Sequence, residues 1–248
     1  MPAPKTINAA QYGSYKIYID GEWSLEDLYI YPRTFEQIYF LLDSLFSEHD
    51  EDDSERVHHA FSAHPWYGGY SAVNFYNELK YITPPAKRPR IISIKYSSPG
   101  WIELQLIMDV VEKIAVLVTK VALSITAVAG AYNTIIKGLQ DRDLFRLKKK
   151  TALQKLKQSE LEYIDQCVKT LANALDLRNI PELNKRTGHP YITLKILLSL
   201  YRRVKTLVDY REEGKAIMPS SNEGAPNRLT HQKKHKQSTQ KKIKRKPL

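Results

Sequence analysis

Histidine and carboxylate side chains, which bind metals and transfer protons most readily, concentrate between residues 48 and 64. A run with six acids in eight residues, 48–55, precedes His58, His59 and His64, and imidazole and carboxylate groups are ligands for zinc and manganese. Adjacent histidines on a helix, however, point about 100° apart, and the run lacks the glycine and glutamate of a calcium-binding EF-hand loop. We therefore predict no metal site, and an exposed loop for the mutually repelling acids.

Other residues capable of catalysis lack the neighbours that would activate them. Cys167 is the single cysteine of the chain and has apolar neighbours, which predicts a small core residue and excludes an intrachain disulfide. No Ser/His/Asp or Cys/His combination stands in a recognisable local signature. The sequence thus predicts no catalytic residue and no cofactor. A metal-dependent enzyme that uses the region of His58, His59 and His64 is retained as a second alternative.

Positive charge concentrates near the C-terminal end of the chain. The formal net charge is +11, yet nine Lys/Arg residues and no acid lie between Arg228 and Leu248, which leaves the preceding part nearly neutral. Such a segment binds phosphates through counterion release, and it would equally bind anionic lipid. We predict a flexible tail that binds a polyanion, with nucleic acid as the first choice and a solubilising tail as the plain alternative. The predicted anion-binding residues are Lys233, Lys234, Lys236, Lys241, Lys242, Lys244, Arg245 and Lys246.

One long helix, over residues 101–139, is predicted to organise the rest of the chain. Apolar residues recur at steps of four and three from Ile107 to Leu139, without a proline, in a heptad pattern of more than four repeats. Such a helix packs on helices of its own chain or binds a protein partner or a second copy, here through Val111, Val118, Ile125 and Tyr132. Residues 114–132 would just span a bilayer, so membrane insertion is the alternative, which Lys120 near the middle opposes.

Shorter periodic segments predict the remaining elements. Alternating β-prone residues predict strands over 15–19 and 91–96, and apolar faces predict helices from about 32 to 46 and from 71 to 81. A second long helical stretch is predicted over 144–177, then a loop over 179–190 and a last helix over 191–213. Two long helices joined by a short polar turn favour an antiparallel hairpin.

Together these elements predict an α+β protein with a small N-terminal sheet and helices, a long antiparallel helical hairpin, a further helix and a disordered basic tail. The predicted limits are a disordered lead (1–13), a small α+β domain (14–98), a helical hairpin domain (99–214) and the tail (215–248). We expect a non-enzymatic interaction or assembly protein in the cytoplasm, whose hairpin binds a protein partner or a second copy. Peripheral attachment to a membrane through residues 101–139 is the alternative.

Overall fold

Four antiparallel strands form the sheet on which the helices pack. They are β1 (Tyr12–Ile19), β2 (Arg90–Lys95), β3 (Gly100–Ile107) and the two-residue β4 (Ala216–Ile217), in the order β2-β3-β1-β4. This order and these directions are those of the split β-α-β motif. The computed structural model of the protein describes residues 11–47, 51–63, 69–144, 153–177 and 180–220.

Alternation along β1 and β3 gives the sheet one buried and one solvated face. Tyr15 and Ile17 of β1 are buried opposite Leu104 and Ile102 of β3, while the residues between them point to the solvated side. A period of two places successive side chains on opposite faces of a strand. The helices therefore cover one face of this sheet.

Eight helices in the described residues build the rest of the core: α1 (Leu25–Phe46), α2 (Glu51–Ala63), α3 (Gly69–Ile82), α4 (Met108–Leu123), α5 (Ile125–Asp141), α6 (Gln158–Ala174), α7 (Ile180–Thr187) and α8 (Pro190–Glu212). α8 is central, since it packs against α1, α4, α6 and α7. The combination of an antiparallel sheet with a helical layer confirms the predicted α+β class.

The prediction of one helix over 101–139 is wrong. The first part of that range is β3, in which Ile102, Leu104 and Leu106 are buried and alternate with more exposed polar or aromatic residues. This period of two belongs to a strand, although the heptad pattern follows it directly. The remainder forms α4 and α5, whose axes differ by 88°. The break lies at Ser124, whose N–H and hydroxyl both donate to the carbonyl oxygen of Lys120.

The first arm of the predicted hairpin is therefore divided between α4 and α5. Part of the second arm, predicted over 144–177, lies outside the described residues (145–152), and its described part contains α6, Gln158–Ala174. α6 packs on α5 and returns toward α4, because Tyr163 lies under the Arg142 guanidinium and Asp176 pairs with Lys120. The predicted loop over 179–190 contains α7.

Two N-terminal predictions also need correction. α1 begins at Leu25, not near residue 32, because Ser24 and Asp27 form a reciprocal capping box, with the Asp27 N–H donating to Ser24 Oγ over 3.0 Å. Pro32 consequently lies inside the helix. The acidic run is not a loop as far as it is described, since α2 begins at Glu51.

The predicted tail boundary at 215 falls inside the folded part. β4 pairs with β1, the Asp20 N–H donates to the carbonyl oxygen of Lys215, and Met218 is buried. The described residues up to Met218 belong to one compact unit. The predicted domain boundary at 98/99 runs through the sheet, between β2 and β3.

Candidate functional site

The predicted partner-binding residues of the long helix lie in or beside the core. Val111 and Val118 on α4 are 0% and 2% exposed, and Ile125 and Tyr132 on α5 are half-buried. The ring of Tyr132 packs on Tyr201 of α8, with centroids 4.6 Å apart. The structure therefore does not gather these four side chains on one open surface. The eight predicted anion-binding residues, from 233 to 246, lie outside the described residues.

The histidine region does not converge on a metal centre. His58 and His59 are exposed on α2, and His59 Nδ1 is 3.5 Å from Glu78 Oε1 on α3. His64 lies outside the described residues. In the ranges that the structure describes, no group of three or more His, Cys, Asp or Glu side chains is arranged to hold a metal ion. Cys167 is buried, as predicted, and burial raises the pKa of its thiol.

The apolar side of α4 packs in the core of the protein. Among the described helices none is by itself long and apolar enough to cross a bilayer, and α4 with α5 reaches that length only as a pair bent by 88°. Val110, Ile114 and Val121 of α4 are buried in the core together with Val111 and Val118. Membrane insertion would have to remove these side chains from their protein contacts.

Three exposed isoleucines cluster on the edge strand β2. Ile91, Ile92 and Ile94 are 55%, 53% and 52% exposed, and Tyr96 just beyond the strand is 64% exposed. β2 pairs only with β3, so its other edge is open in the described sheet. An open edge presents unpaired backbone N–H and C=O groups, which another strand can bind.

The register explains why two of these isoleucines face the helical layer without being covered. Ile91 pairs with Leu104 and Ile94 pairs with Ile102, and both β3 partners are buried. The register shifts between Ile91 and Ser93, which makes Ile92 the extra residue of a bulge. The helices cover β1 and β3 and stop short of β2, which leaves Ile91 and Ile94 at an open margin.

An apolar groove of about 280 Å³ opens at this margin. Its floor comes from the sheet and its wall from α1, and the lining residues are Ile17, Tyr31, Pro32, Phe35, Pro89, Ile91, Ile102 and Leu104, with Arg33 and Glu36 as the charged ones. Glu36 Oε1 is 2.7 Å from Lys80 Nζ, so its charge is already compensated. Arg33 lies over the Tyr29 ring and keeps a net positive charge at the groove.

Basic residues flank the edge at both ends. At the start of β2, the Arg88 Nε–H donates to the carbonyl oxygen of Thr83, and Arg90 donates to that of Pro85. At its end, Lys95 Nζ is 4.6 Å from the Trp101 ring centroid. Neutral carbonyl oxygens and an aromatic face orient these cations but do not cancel their charges. The margin of β2 is thus apolar in the middle and positive at its ends.

The carboxylate of Glu103 is the acidic group on the solvated face near β2. Its oxygens accept hydrogen bonds from Ser14 Oγ at 2.6 Å and from Ser93 Oγ at 2.9 Å. These bonds, together with the charge of Lys16, lower the pKa of Glu103 below its ordinary value. Glu103 is therefore held by the sheet itself and stays ionised at neutral pH.

A larger cavity, of about 450 Å³, lies between α1, α4 and the chain just after α6. Its walls carry both signs of charge, and Lys120 at its rim pairs with Asp176. Lys113 extends over the Phe46 ring. The mixed charges at this cavity favour no particular ligand. The β2 margin combines an open edge with an apolar groove, and its acids Glu36 and Glu103 already have partners in Lys80, Ser14 and Ser93, whereas the cations Arg33, Arg90 and Lys95 have no acidic partner among the described contacts.

Comparison with known proteins finds no matching family model, no matching curated protein and no matching solved structure. The site is therefore argued from this chain alone. The sequence prediction located the strand but missed its role, although Pro89 before it and isoleucines at both even and odd positions were visible signals. Proline at a strand start is typical of edges, and apolar residues on both faces indicate either full burial or an interaction surface.

Proposed function

We propose that this protein is a non-enzymatic interaction protein that binds an extended segment of a partner along the open edge of β2. The observation that carries the proposal is the exposure of Ile91, Ile92 and Ile94 by more than half on an unpaired edge beside an apolar groove. An added strand would pair with the free backbone groups of β2 and would place alternate side chains toward the groove. Natural edge strands that stay free usually avoid such exposure.

The lining of the groove supports binding of side chains rather than chemistry on them. Apart from Arg33 and Glu36 it is aliphatic or aromatic, and Glu36 is paired with Lys80. Fully burying one isoleucine side chain contributes about 1.5–3 kcal/mol. Two such contacts plus strand pairing would give a partner useful affinity without any catalytic group.

The predicted tail adds a second, independent part to this proposal. Its eight basic residues, from Lys233 to Lys246, would hold a polyanion, nucleic acid in the first place, while the β2 edge holds a protein segment. Truncation after residue 220 tests this part by itself. The expected result is loss of salt-dependent binding to a single-stranded oligonucleotide with unchanged thermal stability, and unchanged oligonucleotide binding would reject it.

A neutral strand-forming peptide tests the edge. We would measure fluorescence anisotropy of a labelled six-residue peptide that alternates Thr and Val, with hydrogen exchange of the β2 amides as the structural readout. Ile94→Ser should weaken binding about tenfold or more, because one apolar contact is lost. Leu123→Ser is the matched control, since Leu123 is 84% exposed at the α4–α5 bend, away from the sheet.

Two results would contradict the edge proposal. Equal weakening by both substitutions would mean that the peptide binds exposed apolar surface without selecting β2. Unchanged exchange of the β2 amides at saturating peptide would mean that no strand is added there, since pairing must slow the exchange of the amides it covers.

A further inference from the structure

The charges around β2 identify which kind of segment fits this edge. We infer that the occupant is an extended segment of another protein in which acidic side chains alternate with apolar ones, an inference that rests on the binding proposed above.

On the groove side, the added strand needs apolar residues. Ile91 and Ile94 point to the helical layer with Leu104 and Ile102, next to the groove between the sheet and α1. Side chains of a neighbouring strand that point the same way would contact these isoleucines and Phe35. Because the period is two, every second residue of the bound segment would be apolar.

On the solvated side, the same strand would meet a cation at each end of β2, while Glu103 between them is already hydrogen-bonded to Ser14 and Ser93. Arg90 pairs with Gln105 and Lys95 pairs with Trp101, and both β3 partners are on the face away from the helices. Arg90 and Lys95 are separated by roughly 15 Å along the strand. Opposite charges at directly facing strand positions are favourable. Carboxylates at the intervening positions of the segment would therefore face Arg90 and Lys95, and an acid at its end would reach Arg33 at the groove.

A second copy of this chain fits less well. In the full-length antiparallel register of β2 with itself, Arg90 of one copy would face Lys95 of the other, twice in each dimer. Like charges placed directly opposite one another destabilise a strand pair. Self-pairing at this edge is thus disfavoured by the same cations that favour an acidic partner.

The chain's own tail is also a poor occupant. Between Arg228 and Leu248 it contains nine Lys/Arg residues, no acid and only two large aliphatic side chains, Leu229 and Ile243, before the final Leu248. It would bring more positive charge to a positive margin. Nucleic acid would satisfy the cations, but its phosphates would leave the apolar groove and the isoleucines without a partner.

A charge series of synthetic peptides tests the inference on the full-length chain. The probes are three labelled six-residue peptides in which Val alternates with Glu, Thr or Lys. We expect the Glu peptide to bind about tenfold tighter than the Lys peptide, since each exposed ion pair adds a small increment, and 0.5 M salt should shrink this preference. Lys95→Gln and Arg90→Gln should reduce the preference several-fold, whereas Lys137→Gln on the exposed side of α5 should not.

The outcomes separate this inference from the proposed function. If all three peptides bind equally and Ile94→Ser weakens all of them, the edge is a binding site but the acidic preference is wrong. If none binds, both are wrong. A concentration-dependent dimer in light scattering that Ile94→Ser abolishes would assign the edge to a second copy. Oligothymidine binding that Arg90→Gln weakens and Ile94→Ser leaves unchanged would assign the cations to nucleic acid.

Discussion

Removing a single hydroxyl oxygen from each of two buried tyrosines should lower stability at one of them and not at the other. Tyr39 on α1 is 0% exposed, and its hydroxyl donates to the carbonyl oxygen of Lys87 at 3.0 Å and accepts from the Ile107 N–H at 3.2 Å. Tyr76 on α3 is 1% exposed, and in the described part of the chain its hydroxyl has no hydrogen-bond partner. Tyr39→Phe and Tyr76→Phe delete the same atom from these two environments.

The magnitudes follow from what each deletion leaves behind. Tyr39→Phe leaves the buried Ile107 N–H unpaired, at a cost of about 1–3 kcal/mol, whereas water can replace the bond to the half-buried Lys87. The expected loss is about 2 kcal/mol, or roughly 4–8 °C in Tm for a protein of this size. Tyr76→Phe removes a hydroxyl that is desolvated without compensation, so stability should stay constant or rise by up to about 1 kcal/mol. The Arg203 guanidinium, 3.8 Å from the Tyr76 ring centroid, keeps an aromatic partner in Phe.

Denaturation by urea, followed by tryptophan fluorescence, measures both values, with equal m-values showing that the two variants unfold over the same surface. Hydrogen exchange adds a local readout, because Lys87 lies just before β2 and its release should speed exchange of the β2 amides in Tyr39→Phe only. Equal losses in the two variants would refute the reasoning, since they would show that the partners of the hydroxyl do not decide its contribution.

Three further predictions concern α5, α1 and α6. Gly130→Ala should stabilise the protein by up to about 1 kcal/mol, because a Cβ there meets open space in a helix. Gly138→Ala should instead cost about 1 kcal/mol, because its Cβ would collide with the Tyr163 hydroxyl. Thermal melts of the two variants measure both effects. The Ser24 N–H, the Tyr210 and Ser24 hydroxyls and Lys215 hold the pKa of Asp27 at about 2, below its ordinary 3.8. The stability advantage of the wild type over Asp27→Asn should thus be full above pH 3.8 and shrink as the pH falls toward 2, in melts at stepped pH. The Cys167 thiol should react with a disulfide reagent only at the rate of unfolding, because burial raises its pKa and blocks access; rapid native-state labelling would contradict this.

Strong local periodicity made some elements predictable. The last helix was predicted over 191–213 and is found at Pro190–Glu212, and the strand predicted over 91–96 is β2, Arg90–Lys95. In both, one short segment of sequence carries the whole signal. The prediction makes α1 too short because it places Pro32 in the first turn, although Ser24 and Asp27 have the spacing of a capping box.

The sequence does not predict β3, because the alternation of its residues is followed at once by the stronger heptad pattern of α4. Its six alternating residues run directly into the heptads of α4, and Ser97 to Gly100 looks like a helix start. Instead this segment turns the chain from β2 into β3. Gly100 is needed there because a Cβ would collide with the carbonyl oxygen of Lys95. The bend at Ser124 was hidden in the same way, since apolar spacing continues through it.

The candidate site depends on strand order, which no local pattern contains. β2 is an edge because β3 pairs on its other side with β1, more than 80 residues earlier in the chain, and because β1 in turn pairs with β4. Exposure of Ile91 and Ile94 follows from that order and from where α1 and α8 lie. The sequence alone therefore predicts a strand with apolar residues on both faces, which fits a buried strand as well as an open one.

The edge of β2 has features that usually protect a strand from pairing with another chain, yet its surface remains apolar. The bulge at Ile92, the proline at 89 and the cations Arg90 and Lys95 all discourage pairing with an unselected strand. Polar residues at 91 and 94 would prevent unwanted strand pairing better than isoleucines do. They would also reduce folding stability little, because these positions are half exposed. Retaining isoleucines there keeps an attractive surface, while the cations exclude positively charged segments and further copies of β2. An attractive element combined with a repulsive one is how a protein discriminates between partners, and the binding that we propose at this edge would select by the sign of charge.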